Sequence, residues 1–147
     1  MEDELSGGHM SAGLDEGRMR HLELIQTIVT RMGNNSFLIK GWSLTVTGAL
    51  LAYAVGNDKS AIALVGFVPV LAFWALDGYF LYQERLFRRL YERVRSTSAT
   101  NAIEPFAMDV APGREKAGVL KAAGSFTVAG FYGGLTLAQA FALLFVL

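Results

Sequence analysis

Apolar positions fall into three long runs separated by short polar breaks. Ser36 to Gly56 (SFLIKGWSLTVTGALLAYAVG) spans 21 residues with Lys40 as its only charge. Ser60 to Gln83 (SAIALVGFVPVLAFWALDGYFLYQ) spans 24 with Asp77 alone, and Ala122 to Leu147 spans 26 with none. A helix rises about 1.5 Å per residue and roughly 20 apolar residues cross the hydrocarbon core, so each run predicts a transmembrane helix. Too little amphipathic sequence remains to cover three such helices in water, which argues against a soluble bundle.

Two flanking segments carry a different periodicity. In Met19–Met32 (MRHLELIQTIVTRM), Leu22, Ile25, Val29 and Met32 share one helical face, while Arg20, Glu23, Thr27 and Arg31 lie largely off it. This predicts an amphipathic helix over 19–33, ended by Gly33-Asn34-Asn35. Its stripe must dock on another chain, on a cytoplasmic helix of its own chain or on the lipid surface, and docking on protein is preferred.

The second run continues as ERLFRRLYERVR (84–95), free of Gly and Pro, with Phe87, Leu90, Tyr91 and Val94 keeping a helical stripe. An unbroken helix from Ser60 to Arg95 measures about 54 Å against roughly 40–45 Å for a whole bilayer, so a cytoplasmic stalk is expected, with a kink at Pro69. The segment STSATNAIEPFAMDVAPGRE (96–115) reads as a linker or binding loop. Residues 1–18 are polar and acidic without an apolar core of the kind a cleavable signal needs, and Gly8-His9-Met10 resembles a cloning junction; a disordered or tag-derived tail is expected. The expected fold class is therefore all-α: an integral membrane protein with three transmembrane helices, an N-terminal amphipathic helix and a cytoplasmic extension of the second span, with 19–147 as one membrane domain.

Composition agrees. Charged residues supply 18% of the chain, below the usual quarter, and the apolar share, counted with glycine and without tyrosine, is about 59% against 45–50% in soluble domains. Net charge is zero, so the message lies in where the charges sit. Residues 1–40 hold Arg18, Arg20, Arg31 and Lys40; the turn at 57–59 holds Lys59; residues 84–121 hold Arg85, Arg88, Arg89, Arg93, Arg95, Arg114, Lys116 and Lys121. The positive-inside bias places the N-terminus and 84–121 in the cytoplasm of a bacterial inner membrane, and the turn and C-terminus outside.

The chain has no cysteine, which excludes disulfides, zinc–thiolate sites, iron–sulfur clusters and thiol nucleophiles. His9 and His21 are its only histidines, and no HExxH, Walker loop or GxSxG is present. Neither an enzyme, a cofactor nor a metal site is expected.

Four constellations remain. Lys40 and Asp77 are equally far from the midpoint of the turn between Asp58 and Lys59, so an antiparallel hairpin puts them at equal depth and allows a buried ion pair. The competing arrangement has Lys40 snorkelling to the headgroups and Asp77 facing a polar cavity or a neighbouring subunit. Gly130, Gly134, Ala138 and Ala142 recur every fourth position and suit close helix packing, between subunits or within the chain. Thr127, Thr136 and Gln139 are candidates to line a pore, with Gln139 equally suited to bridging two helices. Arg85, Arg88, Arg89, Arg93 and Arg95, partly offset by Glu84 and Glu92, offer a site for a phosphate-bearing ligand or serve topology and headgroup contact.

The combination HLELIQTIVTRMGNNSFLIKGW, the short turn, LDGYFLYQERLFRRLYERVR and a third span resembles small bacterial membrane proteins encoded beside nucleotidyltransferases, the membrane effectors of Hailong anti-phage defence. The resemblance covers 19–147. It implies an oligomeric channel held in check by a nucleotide oligomer that the partner enzyme makes, with membrane disruption once the ligand is lost. The expected function is thus a homo-oligomeric channel or pore-forming effector, a tetramer being one candidate, with the lipid bilayer and a nucleotide or oligonucleotide as partners. The alternative is a membrane-anchored scaffold that recruits a cytoplasmic partner through helix 19–33 and conducts nothing.

Overall fold

The computed structural model describes residues 2–96, 106–111 and 118–145, with side chains described from Glu16 to Leu144 within those ranges. Most of the 96–115 linker, including Arg114, lies outside the described residues, as do Lys116 and Leu147. Helices α1 (Glu2–Gly56), α2 (Ser60–Val65), α3 (Phe67–Ser96), α4 (Val119–Ala123) and α5 (Phe126–Phe145) build the fold, with no strand among the described residues. Three helical stretches are long and apolar enough to cross a membrane: Glu16–Gly56, Ser60–Ser96 and Phe126–Leu144.

Three boundaries differ from those expected. The helix does not end at Gly33-Asn34-Asn35; α1 passes through them, and it begins at Glu2, inside the expected tail. Gly33 costs only about 1 kcal/mol relative to alanine in a helix interior. Both sides of it pack on the same partner, since Ile25 meets Leu90 and Val94 of α3 while Lys40 meets Asp77 of α3. That continuous docking face overrides the local weakness.

The second break falls at Gly66, one turn ahead of Pro69. Proline has no N–H to offer the carbonyl four residues earlier, that of Val65, and its ring crowds it, so the ladder is interrupted there. The third span begins at Phe126 rather than Ala122, because Gly124 and Ser125 separate α4 from α5.

Large apolar side chains point outward along the spans: Phe37, Trp42, Leu44, Val68, Leu71, Phe126, Leu137 and Leu144 are all exposed. In water this would be an aggregating surface; in lipid it needs no cover. The interior holds two apolar clusters. Toward the basic end, Ile25, Leu90 and Val94 are buried, with Leu22, Val29, Phe87, Tyr91 and Val110 packed on them. Leu22, Ile25 and Val29 of α1 therefore pack on the C-terminal part of α3 in the same chain. In the span, Val70 of α3 packs with Val128 and Tyr132 of α5, backed by Phe73, Trp74, Leu81, Phe131 and Leu135.

Candidate functional site

One face of α1 runs the length of the packed region. At helical spacing it carries Arg18, His21, Leu22, Ile25, Val29, then Ser36, Lys40, Ser43 and Thr47. Its chemistry inverts along the way. Apolar side chains face inward at the basic end, whereas Ser43 and Thr47 face inward within the stretch apolar enough to cross a membrane. The second part is a signal that a search for apolar periodicity passes over. Ser36, Lys40, Ser43 and Thr47 recur at intervals of four, three and four, which marks one buried polar stripe.

The structure brings Lys40 and Asp77 together. Lys40 Nζ lies 2.5 Å from Asp77 Oδ2 and donates to Ser36 Oγ at 2.8 Å, while Ser36 Oγ donates in turn to Asp77 Oδ1. The three side chains close a ring in which each oxygen of the carboxylate has a donor. Asp77 is fully buried, whereas the Lys40 side chain keeps 23% of its surface exposed. An ion pair of this kind is retained only if both charges stay matched, since stripping one partner from a buried pair costs about 3–5 kcal/mol.

Beyond the pair, the buried face stays polar. Ser43, Thr47 and Gln139 are almost wholly buried, and Tyr132 nearly so. The Tyr132 hydroxyl stands beside Ser43 and in the field of Asp77, yet Ser43 Oγ, Thr47 Oγ1, Tyr132 OH and Gln139 Oε1 all lack a hydrogen-bond partner within the protein. Buried polar atoms are ordinarily satisfied, so four on one track inside a membrane span call for an explanation.

Gln139 bridges two helices, with Nε2 donating to the Ala63 carbonyl of α2 at 2.8 Å. It does not share a face with both threonines expected to line a pore beside it. Thr127 and Thr136 are nine residues apart and so on opposite sides of α5; both are exposed, and Thr136 Oγ1 donates to the Tyr132 carbonyl at 2.8 Å. A single path lined by all three is therefore not formed within the protomer.

The small-residue stripe of α5 faces outward for most of its length. Gly130, Gly134 and Ala138 are exposed, a Cβ built on either glycine meets nothing within 4 Å, and only Ala142 is buried. From Gly130 to Ala138 the stripe is thus not used for packing inside the protomer, whereas Ala142 is.

The five arginines divide into two rows on α3. Arg85, Arg89 and Arg93 follow one another at four-residue intervals, while Arg88 and Arg95, seven apart, lie on a second side. Arg88 pairs with Glu84 at 2.8 Å, Arg95 pairs with Glu92 at 2.9 Å, and Arg85 donates to the Lys121 carbonyl at 3.4 Å.

Two further residues at this end escaped sequence reasoning. Arg18 donates from Nε to the Val94 carbonyl at 3.1 Å and from its guanidinium to the Arg95 carbonyl, placing a cation on the free carbonyls that end α3. His21 is buried; its Nε2 donates to the Ala107 carbonyl at 3.2 Å and its ring lies 6.1 Å from that of Phe106, which fastens segment 106–111 across α1. A lone histidine on an apolar stripe gave no warning of this, because its partner is a backbone carbonyl distant in sequence. Among the described residues, no three His, Asp or Glu side chains gather as metal ligands. The chain matches no family model, no curated protein and no solved structure.

Proposed function

We propose that the protein is a homo-oligomeric channel or pore-forming effector of a bacterial inner membrane, acting in anti-phage defence. In this reading the basic end of α3 and the N-terminus stand in the cytoplasm, and the C-terminus outside. The arginines of α3 take a nucleotide-type polyanion made by a partner nucleotidyltransferase. The observation that carries the channel reading is the buried Lys40–Asp77 pair continuing into unpartnered hydroxyls. Charges inside the hydrocarbon are expensive, and where they occur they mark ion or proton pathways.

The scaffold reading relies on the stripe of 19–33 as a recruiting face. That face is taken, since Ile25 is fully buried against Leu90 and Val94 of the same chain, and the reading is weaker for it. The test is ion flux from proteoliposomes of purified protein, with and without added single-stranded oligonucleotides. Flux that falls when oligonucleotide is added supports a ligand-restrained channel. Vesicles that hold their gradients under both conditions, with insertion verified, return the scaffold reading to the front.

A further inference from the structure

We propose that each protomer carries its own proton path, leading from Asp77 past the hydroxyls of Ser43, Tyr132 and Thr47 to the amide of Gln139, with Lys40 as its gate. The proposal rests on the channel reading and narrows it, naming the conducted species as the proton and placing the route inside one chain rather than between subunits.

The positions form a track. Antiparallel packing across the turn sets Lys40 level with Asp77 and Thr47 level with Val70, while Gln139 reaches Ala63, near the opposite end. From Asp77 to Ala63 is 14 positions, or about 21 Å at the helical rise, against roughly 30 Å of hydrocarbon. On α5, Gln139 follows Tyr132 by two turns, about 10.5 Å. Four of the five buried polar atoms left without partners belong to this track, the fifth being Ser125 Oγ, seven residues before Tyr132, and Tyr132 joins the α1 stripe to α5 by standing beside Ser43. Side chains so buried and closely packed suit a proton, which needs only hydrogen-bonded oxygens. Single water molecules bridging polar groups would complete the intervals.

Facing Asp77 are Lys40 and Ser36 from α1 and Tyr132 from α5, while α4 brings only apolar Ala123 against the adjacent Gly78. With the ammonium in place both carboxylate oxygens are taken by donors, and a second positive charge is repelled. Lys40 alone of the pair has exposed surface, and a lysine can swing its head toward the headgroups. A proton reaching the freed carboxylate forms an O–H bond there. That bond then breaks as the proton moves to water or a hydroxyl oxygen, which releases its own hydrogen to the next acceptor. Each hydroxyl is restored by the following proton, the proton accepted by Oε1 of Gln139 leaves it for water beyond the path, and no electron changes hands.

The experiment is proton flux into proteoliposomes containing a pH-indicator dye, driven by a potassium–valinomycin potential, alongside potassium and sodium flux in the same preparation. Thr47→Val removes a hydroxyl without a partner in the fold and Tyr132→Phe one that faces only Ser43, and each should lower proton flux about tenfold. Lys40→Met should raise it, and Tyr53→Phe, altering the lipid-facing surface, should leave it unchanged. Proton flux in Tyr132→Phe and Thr47→Val equal to wild type would overturn the path. Potassium or sodium flux without proton flux would overturn it too, while leaving the channel reading standing. No flux of any ion from inserted wild-type protein would remove both.

Discussion

Gly66 and Gln139 compete for one space between α2 and α5: a Cβ on Gly66 would stand 2.0 Å from Nε2 of Gln139 and 3.2 Å from its Cδ. The amide cannot retreat freely, because it is buried and its Nε2 is tied to the Ala63 carbonyl. Gly66→Ala should therefore break that hydrogen bond and destabilise the protein by about 1–3 kcal/mol, the cost of leaving a buried polar group unpaired. Reversible unfolding in detergent measures it. In a Gln139→Ala background the same change should cost much less, because contacting residues are not additive. Equal costs in both backgrounds would trace the effect to the backbone at Gly66.

The Lys40–Asp77 pair gives a charge test. Lys40→Ala should lower stability by about 3–5 kcal/mol, since it strands a fully buried carboxylate, and Asp77→Ala should cost less, since the partly exposed Lys40 can carry its charge toward the headgroups. Lys40→Met with Asp77→Leu should come close to wild type, because apolar side chains of similar volume need no partner. The exchange Lys40→Asp with Asp77→Lys should recover part of the loss, with Ser36 still able to bond either carboxylate position. A double apolar variant as unstable as the single ones would mean that the pair is not what couples the two sites.

The spans were legible because they follow from a one-dimensional rule, length against bilayer thickness, whereas equal distance from a turn allowed the pairing of Lys40 with Asp77 without deciding between it and a snorkelling lysine. The helix boundaries were not. Gly33-Asn34-Asn35 is a stop signal by propensity, but propensity loses to a packing face that continues on both sides of it. The polar stripe of α1 was hidden for a related reason. On this part of α1 the inward face carries Ser43 and Thr47, which stand among Trp42, Leu44, Val46 and Leu50, so a search for apolar periodicity does not mark them. The seat of His21 on Ala107 is a tertiary contact with a backbone atom, which no side-chain pattern encodes. The outward aim of Gly130 and Gly134 depends on which face of α5 Tyr132 and Gln139 claim, and that is settled only by packing.

Those two glycines isolate assembly from folding. A Cβ at Gly130 or Gly134 meets nothing within 4 Å in the protomer and both positions are exposed, so Gly134→Leu should leave the monomer's stability within about 0.5 kcal/mol, as for a surface substitution. If subunits meet through this stripe, the added bulk holds the helices apart. Crosslinking in detergent micelles should then show loss of the oligomer in Gly134→Leu and, independently, in Ala138→Leu. Oligomers intact in both variants would assign the stripe to lipid.

The arginine rows separate charge from shape. Positive-inside topology counts charge and so tolerates lysine, whereas a guanidinium fork that grips phosphate oxygens in bidentate fashion does not. Arg85 and Arg89 lie one turn apart on one row, and Arg88 and Arg95 pair with Glu84 and Glu92 on the other side. Arg85→Lys with Arg89→Lys should thus leave insertion and oligomer size unchanged while weakening oligonucleotide binding by roughly tenfold, or about 1.4 kcal/mol. Arg88→Lys with Arg95→Lys should weaken it less if the polyanion seats on the Arg85 row. Wild-type binding should also fall steeply with salt, with the logarithmic slope growing by about 0.7 for each phosphate contacted on a single strand. Titration of fluorescent oligonucleotides against detergent-solubilised protein at several salt concentrations reads affinity and slope together. Equal losses from both double variants would indicate a diffuse basic surface, and no binding by wild type at low salt would leave the arginines to topology and headgroups.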